Sequence, residues 1–406
     1  MKVLGIIMAG GVGSRLYPLT KDRAKPAVPF GGKYRIIDFV LSNFVNSSIY
    51  SIYVITQFKS QSLMEHLQDG WRFGSIQKDH FIVPVPAQMR SNDSWYRGTA
   101  DAIYQNIYLI ERFKPEVVAI FGADHIYRMD IRQMIEYHLR KRADFTLAAV
   151  PILSNKANEF GVIQIDHDWR MIDYQEKPGN PKGMPDQPDF SLISMGNYIF
   201  STDFLLKVLE QDAATESDHD LAKDVLPSIF DHCRAYVYDF RKNTIPGTLK
   251  GERNDYWRDV GTIQAYWEAN MDLRAIQPAL NLYNNEWPIR NAIYNDPPAK
   301  FAFNEYGRRG QALDSVVSGG CIISGGLVLN SVLGRDVFIH SFSEVFESIL
   351  MDNVDIGRHA KIKRAIIDKN VKVPEGTVIG YDPEADGKGF FVDESGLVVI
   401  PKNYKF

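Results

Sequence analysis

Apolar residues follow two rhythms along the first two-thirds of the chain. Short unbroken runs at 3–9, 52–56, 117–121, 145–150, 162–165 and 198–200 read as strands buried on both faces. Between them, Ile103, Ile107 and Ile110 fall at helical spacing, as do Leu205, Val208 and Leu209. This alternation predicts an α/β domain with a mainly parallel sheet over residues 1–273, whose ligands bind beyond the carboxyl ends of the strands. From 274 to 311 the rhythm dissolves into Pro, Asn and Tyr, as in Trp287-Pro288 and Asp296-Pro297-Pro298, which predicts an ordered connector rich in aromatics.

A third rhythm governs residues 312–406. Val317, Ile323 and Leu329 are six apart; so are Leu350, Ile356 and Ile362, and then Ile367, Val373 and Ile379. Gly and Asn recur between them. That period predicts a hexapeptide β-helix, with each coil stacking its aliphatic side chain on the next. An all-β sandwich is the alternative, but its strands would alternate every two residues. The period is lost between Leu329 and Leu350, where an insertion or turn is expected to interrupt the stack.

Composition narrows the function. The 46 basic and 50 acidic residues give a net charge of -4, which argues against a nucleic-acid binder while allowing a local phosphate site. No apolar run reaches the roughly 18 residues of a membrane span. The opening Met1–Ala9 run is short for a secretory signal and passes straight into glycines. Cys233 and Cys321 are too few for a disulfide framework, so a cytoplasmic location is expected.

The first strand runs into Gly10-Gly11-Val12-Gly13-Ser14-Arg15-Leu16. Glycines here allow close backbone approach to phosphate oxygens. There is no Lys-Ser/Thr after them as a P-loop requires, and neither the third glycine nor the later acidic residue of a dinucleotide fold. Pro18 discourages a long helix directly after the turn. Arg15, Lys21, Arg23 and Lys25 follow, a cluster suited to polyphosphate charge; a solvated charge run is the plainer reading. Asp124 stands just past the carboxyl end of the 117–121 strand, where a ligand crevice is expected, and Asp259 lies between Arg258 and Val260-Gly261. Either aspartate could equally be a cap or loop hydrogen-bond acceptor. Glu176-Lys177 precedes Pro178, offering a hydroxyl acceptor and a phosphate-binding ammonium, or an ordinary ion pair.

These segments, taken with Phe30–Phe39, Trp95–Ala102, Ser194-Met195-Gly196, Tyr256–Thr262 and Trp287-Pro288-Ile289, resemble over nearly the whole chain the sugar-nucleotide pyrophosphorylases, and within them the ADP-glucose branch, the glucose-1-phosphate adenylyltransferases. The resemblance implies a Rossmann-like nucleotidyltransferase sheet followed by a left-handed hexapeptide β-helix. It implies transfer of an adenylyl group from ATP to glucose 1-phosphate with Mg2+ as cofactor, supplying glycogen-type polymer synthesis. Arg15, Lys25 and Asp124 would be catalytic, and Asp124 and Asp259 would hold the metal. Gly10, Gly11, Gly13, Gln88, Gly98 and Thr99 would line the nucleotide side; Tyr96, Gly161, Glu176, Lys177 and Ser194 would bind glucose 1-phosphate. Gln57 and Trp95 would link regulatory and substrate sites, and a homotetramer is implied.

The sequence departs from the family at Val12, Ala123, Asp22 and Pro29. Asp22 occupies a position where relatives often carry a basic residue for a phosphorylated activator, so weak or absent activation by sugar bisphosphates is expected. Arg23, Arg35 and Arg364 remain a possible site for a smaller effector anion. Other readings are a catalytically silent regulatory subunit, a hexapeptide acyltransferase using His340 or His359, and the same chemistry on another nucleotide or sugar phosphate.

Overall fold

The structure, a computed structural model, describes residues 1–406 apart from 74–77, 89–94 and 250–251. A nine-stranded sheet forms the first part. Its strands in chain order are β1 (Val3–Ala9), β2 (Ser51–Thr56), β3 (Phe81–Pro86), β4 (Val117–Gly122), β5 (Phe145–Leu153), β6 (Gly161–Ile165), β7 (Met171–Glu176), β8 (Phe190–Ser201) and β9 (Ala235–Asp239). Their spatial order is β7-β6-β8-β4-β1-β2-β3, with β5 paired to β8 and β9 to β5. The centre β4-β1-β2-β3 is parallel throughout, as strands separated by crossover helices require. β1 is buried on both faces: Leu4 and Ile6 join one apolar cluster with Ile103, Ile110 and Leu205, while Ile7 and Ala9 join another with Val40, Phe44 and Met134.

β8 runs antiparallel to β4, β5 and β6. It is longer than the three-residue strand that the apolar run 198–200 predicts, because it carries a register shift between Ser194 and Tyr198. Gly196 sits in that shift with φ 68°, and the irregularity brings β8 to the ligand crevice. The helical stretch around 103–110 is also two helices, Thr99–Tyr104 and Ile107–Phe113. Asn106 interrupts it, its amide donating to the Ala102 carbonyl and to the Tyr96 hydroxyl, both at 2.8 Å.

The C-terminal part is a β-helix of three parallel ladders. Buried side chains stack in register: Ile323, Ile339, Ile356 and Val373 on one face; Val328, Val345, Ile362 and Ile379 on the second; Leu333, Leu350, Ile367 and Ile400 on the third. Two corrections to the period follow. Val328, not Leu329, is the inward residue of its coil. The stack also continues unbroken between 329 and 350, because some sides of the coils advance five residues (323 to 328, 328 to 333, 345 to 350, 362 to 367) where the others advance six. Lys300–Ala302 supplies a first rung from within the aromatic-rich connector. The two parts share an apolar seam, where Leu16, Leu19, Val28 and Phe30 pack in one cluster with Val332, Ile349, Ile366, Leu397 and Val399. No described helix is long and apolar enough to cross a membrane.

Candidate active site

β1 ends in the glycine loop, which passes into a single 3-10 turn, Ser14–Leu16, rather than a long helix. Gly13 adopts φ 64°, and a Cβ there would lie 3.0 Å from Lys25 Cβ, so the loop folds over the lysine stem only because this residue is glycine. Gly10, Gly11, Gly13, Ser14 and Arg15 form one wall of a cavity of about 620 Å3. It lies beyond the carboxyl ends of β1, β2 and β4, where an open sheet places its ligands.

Asp124, which lines this cavity, meets Asp259, 135 positions away in sequence, across Lys25. A two-strand ribbon brings them together: Trp257–Asp259 runs antiparallel to His125–Tyr127 with Asp259 opposite His125. Ligand atoms of Asp124, His125 and Asp259 all lie within 4.8 Å of one another. Lys25 Nζ donates to Asp124 Oδ2 at 2.9 Å and to Asp259 Oδ1 at 3.0 Å. Burial favours loss of the ammonium proton, but the two carboxylates more than offset it and hold the Lys25 pKa above the ordinary lysine value. Burial likewise opposes the Asp124 charge; His125 and Lys25 outweigh it, the latter also by hydrogen bond, and hold this carboxyl well below its usual range. Arg15 reaches across to Glu159 at 2.9 Å and to Asp259 at 3.8 Å.

Of the other nucleotide-side residues, Gly98 and Thr99 also line the cavity. Gly98 packs against the backbone carbonyls of Asp218 and His219. The Thr99 hydroxyl donates to Asp220 Oδ2 at 3.1 Å and accepts from the Leu221 N–H at 2.8 Å. Gln57 pairs with the Tyr96 backbone, accepting from its N–H at 3.1 Å, and packs beside Gly10. It thereby joins the glycine loop to the Trp95-Tyr96 segment; Trp95 itself is 53% exposed. Gln88 lies beyond the end of β3 and is absent from the cavity wall.

On the sugar-phosphate side, Tyr174 donates to Glu176 Oε2 at 2.8 Å, and Glu176 faces the cavity. Gly161 lies directly beneath this pair. The Ser194 hydroxyl accepts from the Gly196 N–H at 3.1 Å within the β8 irregularity. Lys177 is 59% exposed, with left-handed backbone (φ 46°), and its ammonium stands 3.8 Å from Glu176.

The three arginines of the anion reading each have a partner of their own, while Arg23 and Arg35 lie close enough for their charges to repel. Arg23 is buried in an ion pair with Asp368 of the β-helix. Arg35 donates to the Ser62 carbonyl at 2.6 Å. Arg364 lies over the Trp267 ring at 5.2 Å. Sequence reasoning missed Glu159, Tyr174, Tyr198, His219 and Asp220. His219 and Asp220 carry a local signal, an Asp before a helical turn that caps the N–H groups of Ala222 and Lys223. Glu159 carries none, since its partner Arg15 lies 144 positions away; Tyr174 bonds Glu176 only two residues on, but alternate positions of a strand are ordinary neighbours and mark no site by themselves.

The fold and this site define a nucleotidyl transferase, and the family profile described as nucleotidyl transferase matches residues 4–276. The profile described as GlmU-like, C-terminal hexapeptide, matches residues 297–400. The chain is 52% identical over 412 residues to a protein of Deinococcus radiodurans named glucose-1-phosphate adenylyltransferase, covering 100% of this chain and 99% of that one. Proteins of the same name from Thermus thermophilus and Aliivibrio fischeri are 55% identical over 413 residues and 51% identical over 402. Those alignments cover 100% and 98% of this chain, and 99% and 98% of the relatives. The chain belongs to the glucose-1-phosphate adenylyltransferase family.

Proposed function

We propose that the chain catalyses the reaction of ATP with α-D-glucose 1-phosphate to give ADP-glucose and pyrophosphate, feeding α-glucan synthesis. The observation that carries this is the convergence, in one cavity, of the glycine loop, Arg15, Lys25, Asp124 and Glu176, with Asp259 bound to Lys25 at its edge. The name that these relatives carry supports the choice of nucleotide and sugar.

The sugar phosphate is already an anionic nucleophile, so the chain needs no general base. Its task is to bring two polyanions together and to neutralise charge at the α-phosphate and on the leaving pyrophosphate. Arg15 and Lys25 face the polyphosphate from the glycine-loop wall. Lys177, exposed beside Glu176, is free to turn its ammonium onto the sugar phosphate, while Glu176 and Ser194 accept or donate hydrogen bonds to sugar hydroxyls.

A divalent cation fits the donor set. Three ligand atoms lie within 4.8 Å, and the buried His125 Nδ1 has no hydrogen-bond partner. Two carboxylates with room for phosphate oxygens suit Mg2+, held by Asp124 and Asp259. When bound, it supplies charge neutralisation at the phosphates.

Two further parts of the reading concern assembly and control. Exposed Phe301, Phe303 and Leu313, at the first coil of the β-helix, support self-association into a homotetramer. The free cysteines Cys233 and Cys321 fit a reducing cytoplasm. Gln57, bridging the glycine loop and Tyr96, supports a link between regulation and the substrate site. Exposed Asp22 beside buried Arg23 argues for weak activation by sugar bisphosphates.

The test is pyrophosphate release from purified protein with glucose 1-phosphate, Mg2+ and each nucleoside triphosphate, with and without fructose 1,6-bisphosphate, and with Asp124→Ala as control. ATP-preferring turnover that falls by about 10²–10³ or more in the variant is expected. A preference for another nucleotide overturns the substrate assignment, and strong bisphosphate activation overturns the reading of Asp22. Near-normal turnover in the variant overturns the site.

A further inference from the structure

Lys25 stands where a cation belongs. Its ammonium bridges Asp124 Oδ2 and Asp259 Oδ1 at 2.9 and 3.0 Å, and these two carboxylates belong to the set whose ligand atoms gather within 4.8 Å. Two such carboxylates repel unless a cation lies between them. The lysine side chain is only 8% exposed, so protein oxygens rather than water solvate its ammonium. Gly13 closes over the lysine Cβ and fixes the base of the stem beneath the glycine loop. The four-carbon stem beyond leaves the ammonium free to swing from the carboxylates toward the loop, where polyphosphate would lie.

We propose that Lys25 is a built-in competitor for the divalent cation, a placeholder that bridges the two aspartates and holds them together until nucleotide arrives. The inference rests on the metal reading of Asp124 and Asp259 given above. A free cation meets two carboxylates already bridged, and half neutralised, by the ammonium. A nucleotide offers Lys25 a new anionic partner and vacates the carboxylates, so cation and nucleotide bind as a coupled pair. The lysine thus guards against occupation by metal alone, in addition to facing pyrophosphate charge.

The experiment is Mn2+ binding to the full chain without nucleotide, followed by electron paramagnetic resonance of the free ion. Wild type, Lys25→Met, Lys25→Arg and Asp124→Asn are compared. Lys25→Met is expected to bind Mn2+ at least about tenfold more tightly than wild type, since a like charge a few ångströms away has been removed. Lys25→Arg, which keeps the charge, is expected to stay near wild type, and Asp124→Asn to lose the tight site. Equal or weaker binding by Lys25→Met, with binding still dependent on Asp124, overturns the placeholder and leaves the metal site standing. Binding indifferent to Asp124→Asn overturns the metal reading itself. Heat unfolding certifies that each variant is folded. Lys25→Gln, which can still donate to a carboxylate, serves the same comparison should the methionine variant not fold.

Discussion

Gly161→Ala perturbs the sugar-phosphate wall with one methyl group. A Cβ at this position would lie 2.2 Å from the Tyr174 hydroxyl and 3.0 Å from Glu176 Oε2, far inside contact distance. The tyrosine cannot retreat cheaply, because its ring is 5% exposed and packs in the same apolar cluster as Ile163 and Leu192. The methyl group therefore breaks the 2.8 Å hydrogen bond that orients Glu176. A hydrogen bond to a charged group contributes about 1.5–3 kcal/mol. At about 1.4 kcal/mol per factor of ten, losing that orientation lowers kcat/KM for glucose 1-phosphate by about tenfold to a hundredfold. Initial rates with each substrate varied in turn provide the assay. The loss is expected in the sugar-phosphate dimension, with KM for ATP unchanged, because the added methyl group meets Tyr174 and Glu176 and no atom of the glycine loop. Tyr174→Phe removes the same hydroxyl without the clash, so the double variant is expected to lose less than the sum of the two singles. An unchanged kcat/KM for glucose 1-phosphate in Gly161→Ala, or an equal loss for both substrates, refutes the reasoning.

Two further predictions concern stability. Asp368→Ala leaves Arg23 charged and buried, because the pair is 4% and 1% exposed; unfolding free energy is expected to fall by about 3–5 kcal/mol, and a loss near zero in urea unfolding would show that water already reaches the arginine. His138 is buried, with its ring nitrogens against Thr146 and Ser201 at 2.9 and 3.2 Å, and burial lowers its pKa from 6.5 to about 4. Between those values the unfolded chain takes up a proton that the folded chain refuses. Stability is therefore expected to decline as pH falls from 6.5 toward 4, and His138→Gln to flatten that slope. Parallel pH profiles for the two proteins in urea unfolding would sink the assignment.

Much of this architecture was legible because it is local. The run Val3–Ala9 is a strand with those bounds, since a segment apolar at every position has no face to give to solvent. The β-helix was visible in its period, but its coils carry a five-residue side that a strict six-residue template cannot follow, and the stack looks interrupted where it is continuous. Residues whose role depends on one neighbour in sequence, such as the glycine loop and Asp124 beyond its strand, could be proposed from the chain. Lys25 across both aspartates could not, because its partners lie 99 and 234 positions away. Arg23 illustrates the converse. Its neighbours in sequence suggest a phosphate ligand, while Asp368, 345 positions on, makes it a partner across the domain seam.

The apolar seam has a consequence for engineering by recombination. Leu16 and Leu19, immediately after the glycine loop, belong to one buried cluster with Leu397 and Val399 of the last β-helix coil. A chimera carrying this first domain and a relative's β-helix would replace the surface against which the loop is braced, however faithfully every cavity residue is retained. Exchange of whole C-terminal halves is thus a means of retuning affinity for polyphosphate without touching a catalytic side chain. The crossover point worth varying is the identity of residues 397 and 399 rather than the connector.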